Sequence, residues 1–73
     1  MNAARLRDVI EVLHFSQNSL ARFLQVDPRT VRRWALDELP VPISVALALE
    51  LMVKHKVSPE RAYIIAGLEP SDE

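Results

Sequence analysis

The dipeptide Asp27-Pro28 is the clearest helix start in this chain. An Asp side chain accepts N–H groups of a first helical turn, and its charge suits the positive end of the helix dipole. Proline fits the first helical position because its missing N–H would have no partner there and its φ is already helical. Ser58-Pro59 repeats the signal, and glycine, the usual hairpin residue, occurs once in the chain. These features favour helices over strands.

Apolar residues recur at helical spacing along most of the chain, without convincing strand-type alternation. The first predicted helix has them at positions i, i+3, i+4 and i+7: Leu6, Val9, Ile10 and Leu13. Caps, prolines and periodicity together predict five helices, at about 3–14, 17–24, 28–36, 42–55 and 59–66, the last ending at Gly67. We therefore expect one all-α domain over residues 1–68 and a flexible acidic tail at 69–73.

Composition narrows the classes of function. A 49% apolar share is too high for a disordered chain, and the absence of cysteine excludes disulfides, thiolate zinc sites and cysteine nucleophiles. His14 and His55 have no acid at a metal-like spacing, the serines lack a plausible His–Asp arrangement, and the acids form no convincing pair. We expect no enzyme activity, no cofactor and no metal.

Charge is distributed unevenly although the net charge is only −1. Residues 1–36 carry six arginines and three acids, whereas residues 37–73 carry three cations and seven acids. The first half can face an anion while the second keeps the protein soluble, or the asymmetry is chance. The longest mostly apolar run, 41–53, is too short to span a bilayer, and the N terminus has no signal-peptide pattern. We expect a cytoplasmic protein.

The third predicted helix has two contrasting faces at about 100° per residue. The face expected to be buried consists of Val31, Trp34 and Ala35. Arg29 and Arg33 lie opposite, one turn apart, with Arg32 on one flank and Thr30 on the other. Guanidinium groups suit the O6 and N7 acceptors of guanine in the major groove, and they also bind phosphate. The competing interpretation is an ordinary solvated helix face.

The stretch 17–34 resembles the helix-turn-helix of the phage repressor and Cro-like family, the lambda-repressor-like fold. The matching motif positions are the first, fifth, eighth, tenth, fifteenth and eighteenth: Gln17, Ala21, Leu24, Val26, Val31 and Trp34. The family domain has five helices, as predicted here. The chain departs from the family at Gln25 and Asp37, where glycine is usual, and a residue with a β-carbon is strained in a left-handed turn.

The resemblance implies a small transcriptional regulator of bacterial or phage type, with helix 28–36 in the major groove of double-stranded DNA. It places Arg29 and Arg33 at base edges and Gln17 at a phosphate. The start of the second helix also offers Asn18 as a phosphate donor. Two further arginines are phosphate candidates: Arg22 and Arg32.

The fourth predicted helix is apolar nearly all round, interrupted by Ser44 and Glu50. Such a helix is either central to the core or shared with another chain, and both interpretations stay open. Pairing of two copies through this helix or the fifth would bring two recognition helices about 34–36 Å apart on a near-palindromic site. The alternative function is a protein-interaction module, or an antitoxin-like adaptor, that binds a partner protein through helices 42–55 and 59–66.

Overall fold

Five α-helices joined by short turns form the part of the chain that the computed structural model describes, residues 1–67. They are α1 (Ala3–Val12), α2 (Gln17–Leu24), α3 (Pro28–Ala35), α4 (Ile43–Lys54) and α5 (Pro59–Ile65). No strand occurs within residues 1–67, so the predicted all-α, five-helix fold is confirmed, with boundaries within two residues of those expected. Position 68 and the predicted tail at 69–73 lie outside the described residues.

Side-chain caps begin four of these helices: Asn2, Ser16, Asp27 and Ser58. The predicted cap of α3 is confirmed, because Asp27 Oδ1 accepts the backbone N–H of Arg29 at 2.8 Å. At α2 the cap is reciprocal, since Ser16 and Ser19 each accept the other's backbone N–H. α4 instead follows Pro42, which makes no side-chain capping bond.

The ends of α1 to α4 share one backbone arrangement. Each has a residue other than glycine in the left-handed region, with φ between 54° and 61°: His14, Gln25, Asp37 and Lys56. In each case the next residue donates its N–H to the carbonyl five positions back, at 2.8–3.0 Å, which is a Schellman motif. Gln25 and Asp37 therefore adopt the conformation for which glycine is usual. α5 ends at Ile65 and is capped by Ala66, and the predicted Gly67 follows as the left-handed residue, with φ 79°.

The core draws on all five helices, but α4 and α5 are only partly enclosed. α4 buries Leu49 and Met52, and α5 buries Ala62. The large exposed apolar side chains on these two helices are Ile43, Leu47, Leu51, Ile64 and Ile65. α4 is thus not wholly a core helix, despite its uniformly apolar sequence. None of the helices in residues 1–67 is both long enough and apolar enough to cross a membrane.

Candidate nucleic-acid interface

α3 is held by one side and faces solvent with the other. Val31, Trp34 and Ala35 are buried, as predicted for its apolar face. Arg7 of α1 adds a polar tie, since its Nη1 donates a hydrogen bond to the carbonyl oxygen of Ala35 at the end of α3. Burial and this bond together set the rotation of α3 about its axis, so they also set which residues point outward.

The outward side of α3 carries the three predicted arginines. Arg29, Arg32 and Arg33 are exposed, whereas Thr30 on the flank is half-buried. The Arg29 side chain is 91% exposed, so a ligand can reach its guanidinium from most directions. Arg32 and Arg33 follow Arg29 by three and four residues, so both lie one turn further along the same side of α3, and the three guanidinium groups form one cationic ridge.

Two carboxylates lie beside this ridge. Arg29 Nε is 4.0 Å from Asp27 Oδ1, and Arg33 Nε is 3.6 Å from Glu38 Oε1. Both distances are longer than a hydrogen bond, and all four side chains are at least half exposed. Exposed ion pairs of this length contribute little and break readily, so the guanidinium groups can exchange these carboxylates for another acceptor.

Neither ion pair was predicted from the sequence. At Asp27 the sequence pattern indicates only a helix cap, and it does not distinguish Glu38 from the other acidic residues. A local signal existed for Glu38: a left-handed residue at position 37 turns the chain back, and this brings residue 38 beside residue 33.

The first turn of α2 offers a second group of donors. Gln17 and Asn18 are exposed there, and the turn contains no acidic residue that would offset the positive end of the helix dipole. Arg22, also exposed, lies one turn after Asn18 on the same side of α2. Amide donors at a helix start suit a phosphate oxygen, and Arg22, in the last turn of α2, adds a positive charge on the same side.

A three-residue turn joins α2 to α3. Gln25 has φ 58° and ψ 43°, and the N–H of Val26 donates to the carbonyl of Ala21 at 3.0 Å. Ala21 is fully buried, and so is Val31 of α3. A small side chain at position 21 allows the two helices to approach closely, so the donors of α2 and the arginines of α3 belong to one rigid unit.

Within residues 1–67, no group of three or more histidine or acidic side chains could hold a metal ion. Comparison of the chain with protein-family models, with curated proteins and with solved structures gives no match.

Proposed function

We propose that the protein binds double-stranded DNA in the cytoplasm as a small, repressor-like transcriptional regulator, with α3 in the major groove. The observation that supports this best is the division of α3 into a buried apolar face and a ridge of three exposed arginines. A major groove admits one α-helix, and arginine is the side chain best matched to guanine there.

The proposed roles follow from position. Arg29 and Arg33 point away from the core and reach the base edges, with Thr30 at the flank of the contact. The phosphate contacts come from both helices: Gln17, Asn18, Arg22 and Arg32. Phosphate contacts set the orientation of the protein on the duplex, whereas base contacts provide preference for sequence.

The test is binding to DNA at two salt concentrations, followed by selection from a random pool. Random duplex DNA should bind at about 50 mM salt and bind much more weakly at about 200 mM, because binding releases counterions. Selection should then enrich guanine-containing sites. Absence of binding at the lower salt concentration would overturn the proposal.

A second candidate function is supported by the exposed apolar side chains of α4 and α5. Ile43, Leu47 and Leu51 form a stripe with a spacing of four residues on α4, and Ile43 is 86% exposed. Exposed apolar patches of this kind mark interaction surfaces. In a DNA-binding protein a second copy would cover the patch, whereas in an interaction module or antitoxin-like adaptor a different protein would cover it.

The two candidates differ in a simple measurement. Sedimentation of the chain alone and with duplex DNA should show a dimer that binds DNA under the first proposal. Indifference to DNA at low salt, together with a stable complex with another protein, favours the interaction module.

A further inference from the structure

The end of α3 differs from the ends of the other helices that share its backbone arrangement. After the left-handed residue, α1, α2 and α4 each place a half-buried apolar residue against the core: Phe15, Val26 and Val57. An apolar contact at this position is the usual companion of the motif. α3 alone among these four has a charged, exposed residue there, Glu38. The exception occurs on the helix that carries the outward arginines.

The position of Glu38 is set by the backbone. Its N–H donates to the carbonyl oxygen of Arg33 at 2.8 Å, and the N–H of Leu39 reaches the same oxygen at 3.3 Å. Asp37, with φ 61°, makes the reversal. The Glu38 carboxylate is therefore held next to the Arg33 guanidinium, at 3.6 Å, in place of the apolar contact.

A carboxylate at this point affects the ligands of Arg33 unequally. A phosphate oxygen that approaches the guanidinium also approaches Glu38, well within the Debye length of about 8–10 Å, and like charges repel. The edge of guanine carries no net charge, so it meets no comparable repulsion.

We propose that Glu38 is a specificity-determining residue, which weakens the attraction of Arg33 for phosphate and thereby favours base-edge contact. This inference rests on the proposed DNA-binding function. It assigns to an acidic residue, outside the recognition helix, part of the discrimination between selected and random DNA.

The experiment compares wild type with Glu38→Gln, which keeps the side-chain shape and removes the charge. Affinity for random duplex DNA should rise about fivefold at low salt, from loss of one like charge near a phosphate. Affinity for the best selected duplex should change less, so the ratio of selected to random affinity should fall. Thermal unfolding of each variant verifies that the fold is retained.

Two controls separate this effect from a general change in charge. Glu60→Gln alters the net charge equally at an exposed position on α5, and it should change random-DNA affinity by less than about twofold. In an Arg33→Ala background, Glu38→Gln should have a much smaller effect, because the two residues act as a coupled pair.

The inference is overturned if Glu38→Gln leaves the ratio unchanged, or if it strengthens binding no more than Glu60→Gln does. Failure of the wild type to bind any duplex overturns the DNA-binding proposal and this one together. Binding by the wild type with an unchanged ratio in Glu38→Gln overturns only the role of Glu38.

Discussion

Arg5 of α1 and Glu50 of α4 form a salt bridge with two hydrogen bonds, Nε to Oε2 at 3.0 Å and Nη2 to Oε1 at 2.7 Å. Two parallel bonds are the strongest geometry between arginine and a carboxylate. The hydrogen bond from Arg5 holds the pKa of the Glu50 carboxyl below its ordinary value of 4.5. The bridge links α1 to α4 through two residues that are 45 positions apart in the sequence.

This salt bridge should make stability depend on pH in the acid range. A pKa that is lower in the folded than in the unfolded state stabilises the fold fully above about pH 4.5, and the effect is lost as the pH falls through the folded value. Glu50→Gln should therefore be less stable than wild type at pH 7 and equal to it in strong acid. The difference should be small because both side chains are partly exposed. Urea titrations at several pH values measure it, and a pH-independent difference would contradict the prediction.

The left-handed conformation of Gln25 should cost stability that glycine recovers. A left-handed backbone costs an L-residue about 1–2 kcal/mol, and glycine avoids this cost. The greater freedom of glycine in the unfolded state offsets about 0.5–1 kcal/mol of the gain. We expect Gln25→Gly to raise the free energy of unfolding by about 0.5–1 kcal/mol. Gln25→Ala keeps the β-carbon and is the matched control, with no gain expected. Equal thermal unfolding of the two variants would argue against strain at this turn.

Two leucines on α4 provide a test of which side of that helix supports the core. Leu49 is 0% exposed and Leu47 is 60% exposed. Leu49→Ala should lower the free energy of unfolding by about 2–5 kcal/mol, which is a large fraction of the total stability of a small domain. Leu47→Ala should change the free energy of unfolding by less than about 0.5 kcal/mol. Circular dichroism and urea titration distinguish the two, and similar losses would mean that the helix is rotated from the orientation described.

The arginines of α3 should divide into two kinds by their effects on DNA binding. Arg29→Ala and Arg33→Ala should each lose about 1–3 kcal/mol of binding free energy at a guanine, and the preference for that base should relax. Arg32→Ala should weaken binding to all DNA sequences alike, and it should lower the slope of binding affinity against salt concentration by about one. Competition between selected and random duplexes measures both quantities. Unchanged base preference in Arg29→Ala and Arg33→Ala would exclude the proposed docking of α3.

The exposed stripe of α4 and the exposed end of α5 should govern self-association if a second copy covers them. Leu47→Ser and Ile64→Ser test the two helices separately. The substitution that lies at the dimer contact should shift the equilibrium toward monomer, because the dimer then buries less apolar area. Val12→Ser on α1 is the control at another exposed apolar residue. Sedimentation over a range of concentrations gives the answer, and a wild type that stays monomeric throughout would exclude pairing.

The number, starts and ends of the helices could be predicted from the sequence because their causes are local. Asp27-Pro28 and Ser58-Pro59 begin helices through bonds that lie within one turn. The buried face of α3 was also predictable, since its apolar residues occupy one side and its arginines the other. The same pattern defines the candidate site, so the local sequence is sufficient to predict its arginines.

Tertiary structure decided what local spacing does not encode. α4 is apolar on nearly every side, so periodicity could not distinguish Leu49, which is buried, from Leu47, which is exposed. Packing against the other helices and the bridge from Arg5 settle that orientation, through residues far away in the chain. The surroundings of the arginines, Asp27 and Glu38 included, likewise depended on how the backbone turns at each end of α3. Burial is a property of the neighbours that surround a side chain, and for α4 only the folded chain specifies them.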